Sequence, residues 1–244
     1  MDKHLKQQIK QDDLVTGVEQ AAGFVKAHQQ EVKVTVAAVV VAVLAIGGFT
    51  MYRQGREGEA NRALDAALET YHAPVASAAA PPDAPVKFAT DAERLKKAVG
   101  EFDGVGRRYG SMAAGRRARY YAALCRSQLG ESAEAEKTLT ELAAGDRAAI
   151  ETGLARLALA DLFRQTGRFD QAITSYQQLA DEPDASVPRD HALMALSGTL
   201  EDAKRLPEAG AAYRRVADEF PQSPYAAEAR QRAEFLLGTS ASRG

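Results

Sequence analysis

The sequence predicts an all-α protein: a single transmembrane helix followed by an α-solenoid of stacked helix pairs. Three observations carry this reading. A run of 19 consecutive uncharged residues, mostly apolar, occupies 34–52. From Ala98 onward, alanine and large apolar residues recur with a 37-residue period. Glycine and proline, at Gly130, Gly167, Pro183 and Pro188, punctuate that period where helices must turn.

The first element is a polar N-tail, 1–33, with an apolar stripe of Leu14, Val18, Ala21 or Ala22, and Val25. That spacing fits one face of a solvated helix leading into the span. Lys33 and Arg53 bound the uncharged run. At about 1.5 Å per residue it reaches roughly 28 Å, close to the ~30 Å hydrocarbon core of a bilayer. Phe49 and Tyr52 sit where an interfacial aromatic belt belongs. The run is too long and too far along the chain for a cleaved leader, and no small-residue cleavage site follows it, so it reads as an uncleaved anchor. No cysteine lies near its end, which excludes a lipid anchor. Ala38, Ala42, Gly47 and Gly48 are either commonplace in such a span or a seam for another helix. Lys26 and Lys33 on one side nearly balance Arg53, Arg56 and Arg62 on the other, so flanking charge leaves the topology open.

A helical extension, 53–72, follows, with Ala60, Leu64, Ala67, Leu68 and Tyr71 at helical spacing. Pro74, Pro81, Pro82 and Pro85 then make 73–87 a linker. Helix resumes at Thr90 and Asp91, a suitable N-cap pair. The repeat domain covers 88–238, and 239–244 is expected to be a flexible C-terminus.

Within the repeats, Ala98, Ala135, Ala172 and Ala209 form one column. Phe102, Leu139, Tyr176 and Tyr213 form a second, and Val105, Leu142, Leu179 and Val216 a third. Ala118, Ala155, Ala192 and Ala229 agree in another register. Each unit reads as two helices, with alanine where they cross because a larger side chain would push them apart.

These residues resemble the tetratricopeptide repeat. Its pattern is met by Leu159, Ala160, Phe163, Gly167, Ala172 and Tyr176; by Leu196, Ser197, Leu200, Ala209, Tyr213 and Pro221; and by Ala122, Ala123, Gly130, Ala135 and Leu139. Arg119, Arg156 and Leu193 stand at the usual tryptophan place. The period exceeds the standard unit of about 34 residues, which should lengthen the loops between units. The tail from Phe220 aligns with the stretch from Tyr109, three periods earlier, as the first helix of an incomplete, capping unit. Its FPQSPYAAEA wording is similar to segments of periplasmic proteins of the BamD and CpoB types, and the whole layout resembles the YfgM family. That resemblance implies a bacterial inner-membrane protein with a cytosolic N-terminus and a periplasmic repeat domain. It further implies an ancillary role at the SecYEG translocon beside a PpiD-like chaperone.

The rest of the sequence excludes more than it suggests. With 31 basic and 33 acidic residues, nothing draws the chain to nucleic acid. Cys125 is the single cysteine, so no intramolecular disulfide forms, and its register reads as a small buried hydrophobe. His4, His28, His72 and His191 lack metal-ligand spacing. Gly104, Gly106 and Gly110 do not spell a phosphate loop and read as close packing. Arg116, Arg117 and Arg119 read as a solvated helix face. No catalytic, cofactor or metal site is expected, and no small-molecule substrate. The expected function is that of a membrane-anchored interaction scaffold. The alternative is a scaffold for outer-membrane or division-site assembly of the BamD/CpoB type. The missing lipid-anchor cysteine weighs against the BamD type, and the retained span against a freely soluble CpoB type. Stacked pairs offer a concave face lined by their first helices. The resemblance then selects Arg117, Tyr120 and Leu124; Leu157, Asp161 and Arg164; and His191, Met194 and Glu201 as partner-binding residues.

Overall fold

The computed structural model describes residues 29–76, 87–146, 149–182 and 186–241. Helix α1 spans Gln29–Tyr71, α2 Asp91–Arg108, α3 Ala113–Gln128, α4 Ser132–Ala143, α5 Ile150–Gln165, α6 Phe169–Asp181, α7 Arg189–Asp202, α8 Leu206–Glu219 and α9 Ala226–Ala241. No strand occurs among the described residues; Val75 and Phe88 form an isolated parallel bridge. The chain divides into two compact units, Met1–Arg56 and Glu57–Gly244. The apolar stripe at Leu14–Val25 lies outside the described residues.

In the first unit, α1 carries an 18-residue window apolar enough to cross a membrane, and that window is not buried. Val41 is 65% exposed, Leu44 70% and Ile46 64%. Apart from Ile150 and Phe235, every strongly exposed large apolar side chain among the described residues lies within this run.

In the second unit, the end of α1 buries Ala60, Leu64 and Ala67 in one cluster with Leu95, Ala98, Phe102 and Val105 of α2. The two helices run antiparallel. Glu59 pairs with Arg108 at 3.9 Å, while at the other end Arg94 donates to the Tyr71 carbonyl oxygen. Residues 57–71 thus stand where the first helix of a pair belongs, with α2 as its second helix. Thr90 caps α2, its hydroxyl accepting from the Glu93 N–H at 3.1 Å. The ends of the proline-rich linker are fastened together: Ala76 N–H donates to the Phe88 carbonyl at 2.9 Å, and Lys87 reaches Glu69 at 2.8 Å.

Helices α3/α4, α5/α6 and α7/α8 form the following pairs, and α9 is a last first helix. All eight alanines of the two periodic columns are completely buried. Phe102, Leu139, Tyr176 and Tyr213 are buried one turn after the alanines of the second helices. Burying side chains of this size contributes about 1.5–3 kcal/mol each. Alanine keeps the backbones close enough for these larger neighbours to reach across.

The turns inside the pairs repeat as closely as the core does. Gly130, Gly167 and Lys204, again 37 apart, have φ of 80°, 74° and 61°. Each time the next N–H reaches back over the helix end: Glu131 to Arg126 O at 2.9 Å, Arg168 to Phe163 O at 2.8 Å, Arg205 to Leu200 O at 2.8 Å. This satisfies carbonyls that the helix leaves open. The turns occupy only 129–131, 166–168 and 203–205, whereas the connections between pairs are longer, at 144–149, 182–188 and 220–225. The extra length of the period therefore sits between units. At the C-terminal end, Glu234 and Arg230 of α9 are exposed where α5 and α7 bury Ala160 and Leu193. That polar outer face closes the array. Helix α9 runs on to Ala241, into the stretch expected to be flexible.

Candidate protein-binding face

The nine residues selected from the sequence lie on the first helices. Arg117, Tyr120 and Leu124 are on α3, Leu157, Asp161 and Arg164 on α5, and His191, Met194 and Glu201 on α7. Arg117 and His191 are exposed and the other seven half-buried. Side chains link each first helix to the next. Ser127 Oγ donates to Gln165 Oε1 at 3.2 Å between α3 and α5. Arg164 Nε donates to Asp202 Oδ2 at 2.7 Å between α5 and α7. Arg232 pairs with Glu201 at 3.1 Å between α9 and α7. The first helices therefore present one continuous face.

Its middle is apolar. Tyr120 and Leu124 pack on the cluster of Ala123, Leu139 and Leu162, and Leu157 and Met194 pack on the cluster around Tyr176 and Leu196. Its charged members are held from within. Arg117 Nε donates to Glu151 Oε1 at 3.0 Å. The Tyr213 hydroxyl donates to Glu201 at 2.7 Å, and the fully buried Tyr176 sends its hydroxyl to Asp161. His191 Nδ1 lies 3.2 Å from the Tyr225 hydroxyl. Burial first, and then Glu201, push the Tyr213 hydroxyl up to about 12. Burial, followed by the hydrogen bond to Asp161, pushes Tyr176 up further still. Both phenols therefore stay neutral and serve as donors.

Several residues of this face were not selected from the sequence: Ser127, Leu154, Gln165, Gly198, Asp202, Arg232 and Phe235. The period could have found most of them. Leu154 is one period after Arg117, Gly198 one period after Asp161, and Phe235 one period after Gly198. At Gly198 the Arg164 guanidinium lies across the helix on its way to Asp202, 3.5 Å from where a Cβ would stand, an ordinary contact distance.

The arginines of α3 are solvent-accessible, as expected, and are also paired. Arg116 and Arg117 both pair with Glu151, at 3.8 and 3.0 Å, and that carboxylate is only 7% exposed. A buried carboxylate needs such partners, and a lone sequence window does not reveal them. Arg119 pairs with Glu141 and its stem covers Gly106, where a Cβ would meet Arg119 Cγ at 2.8 Å. Cys125 is buried as expected, and burial pushes its thiol up to about 11. Among the described residues no group of three or more His, Cys, Asp or Glu is placed to hold a metal.

Residues 157–224, from α5 through α8, match the family model of the tetratricopeptide repeat. The chain contains tetratricopeptide repeats. Two crystal structures of tetratricopeptide-like repeats from a putative kinesin light chain of Podosopora anserina, one of them a point variant, are similar to it at 12% identity. Each covers 62% of this chain and 81% of its own, with a TM-score of 0.49. No curated protein matches the chain. Tetratricopeptide repeats mark it as a scaffold for protein–protein interaction.

Proposed function

We propose that this protein is a membrane-tethered interaction scaffold, with segment 34–52 in the bilayer and the first-helix face of the repeats turned to a protein partner. The observation that carries the tether is the exposure of the large apolar side chains described in this run, Val34, Val39, Val40, Val41, Val43, Leu44, Ile46, Phe49, Met51 and Tyr52. An uncharged helix of that length, apolar on every side, is stable where an apolar medium surrounds it. The half-buried apolar strip of Tyr120, Leu124, Leu157 and Met194 suits an extended polypeptide or a partner's helix.

The likeness to the YfgM family supplies the finer reading. The N-tail is cytosolic, the repeats are periplasmic, and the partners are the SecYEG translocon and a PpiD-like chaperone at the bacterial inner membrane. Crosslinking the full-length protein in membranes and identifying what copurifies tests the partner. Translocon subunits are expected; recovery of the protein with itself alone rejects the translocon role. Protease added to spheroplasts should digest the repeats and spare the N-tail, and the reverse pattern rejects the orientation.

A further inference from the structure

On the first-helix face, the basic groups are matched and one acid is not. Arg117 is held by Glu151, Arg164 by Asp202 and Arg232 by Glu201. Asp161, in the middle of the face on α5, forms no ion pair among the described residues. Its Oδ1 accepts a hydrogen bond from the Tyr176 hydroxyl on the core side, and its Oδ2 takes none among the described residues. Nor is that second oxygen among the buried unsatisfied atoms, so it remains open to solvent. Arg164, one turn further along α5, donates to Asp202 instead of pairing with Asp161.

Apart from the Arg164 guanidinium, which lies over Gly198 and is held by Asp202, the surroundings of Asp161 are apolar and aromatic. Leu124 on α3 and Gly198 on α7 occupy the same column one period before and after it, and Leu157 lies one turn earlier on α5. Tyr120 stands at the matching turn of α3. Burial first, and then the charges of Tyr121, Asp161 and Tyr71, push its hydroxyl up to about 12, so Tyr120 lies within electrostatic reach of Asp161. A fixed carboxylate beside a neutral aromatic ring is suited to a cationic side chain. The carboxylate supplies a charge-assisted hydrogen bond, and the ring face supplies a cation–π contact and packing for the aliphatic stem.

We infer that Asp161 and Tyr120 form a recognition point for a lysine or arginine side chain within an otherwise apolar, extended segment of the partner polypeptide. This rests on the proposal that the first-helix face is the binding surface, and it narrows the ligand. The face favours apolar segments interrupted by basic residues and disfavours those interrupted by acidic ones. A terminal carboxylate finds no free cation there, because Arg117, Arg164 and Arg232 are all paired.

The test uses the full-length protein in lipid nanodiscs and three fluorescein-labelled peptides of one length, in which leucine alternates with lysine, glutamine or glutamate. Binding is read by fluorescence anisotropy. The lysine peptide should bind roughly tenfold more tightly than the glutamine peptide, and the glutamate peptide most weakly. Asp161→Asn preserves an acceptor for Tyr176 and should abolish the preference of lysine over glutamine. Tyr120→Leu should reduce it while keeping the surface apolar. Both variants should retain the helical circular dichroism of the parent. If the lysine and glutamine peptides bind equally, or Asp161→Asn leaves the preference intact, the recognition point is wrong while the face stands. If all three peptides bind and Tyr120→Ala with Met194→Ala leaves them undiminished, the face itself is wrong. If no peptide binds, both are wrong.

Discussion

Helix α1 is one helix with two kinds of surface. Over 34–52 it is apolar on every side, and its described large side chains are exposed, from Val34 at 68% to Met51 at 75%. From Glu57 to Tyr71 it carries a single apolar stripe. Ala60, Leu64 and Ala67 are buried while Asn61, Asp65 and Glu69 face solvent. The second pattern is what a helix needs when it packs on one neighbour in water, and α2 is that neighbour. The first pattern has no such explanation within the described residues. The difference teaches that helix formation says little here about surroundings. The angular spread of apolar residues says a great deal, and it motivates the assignment of 34–52 to lipid.

Substitutions that act on one region and spare the other sharpen the contrast. The largest effect is expected from Val41→Lys combined with Leu44→Lys. Each lysine at the middle of a span costs roughly 2.5–3.5 kcal/mol of insertion. The double variant should move from the membrane fraction to the soluble fraction, while the thermal unfolding of the repeats stays where it was. Next comes Ala172→Leu, inside the completely buried alanine column. Overpacking there should destabilise the repeats by about 1–3 kcal/mol in a circular dichroism melt and leave membrane retention untouched. If Ala172→Leu costs nothing, the close crossing of α5 and α6 is misjudged.

The smallest effects concern the turns. Gly167→Ala places a Cβ in the left-handed region at φ 74° and should cost about 1–2 kcal/mol. Lys204 already bears that strain at φ 61°, so Lys204→Gly should raise stability by roughly 0.5–1 kcal/mol. Opposite signs at equivalent turns, read from the two melting temperatures, are the expected outcome. A loss of stability in both would show that Lys204 is held by something other than the turn.

Much of the fold is legible in the sequence because repetition averages out local ambiguity. The four-fold columns of alanine and large apolar residues mark the helices and their core faces, and glycine marks two of the three turns. The third turn was hidden, since lysine gives no sign of a left-handed backbone. The helix paired with α2 was also hidden. One period before Ala118 lies Pro81, in the linker, and the helix that fills the place comes from further upstream, at 57–71. The candidate face was legible only as positions on the first helices. Its electrostatics were not. Arg117 with Glu151, Arg164 with Asp202 and Glu201 with Arg232 join residues more than thirty positions apart on neighbouring helices, and no local pattern encodes which acid meets which base. Without those pairings, Asp161 looks like one acid among many.

The central claim, a repeat scaffold tethered by segment 34–52, is tested most directly by extracting membranes containing the full-length protein with alkaline carbonate. The protein should stay in the membrane pellet, and the Val41→Lys, Leu44→Lys variant should be released. Release of the unaltered protein into the supernatant would contradict it.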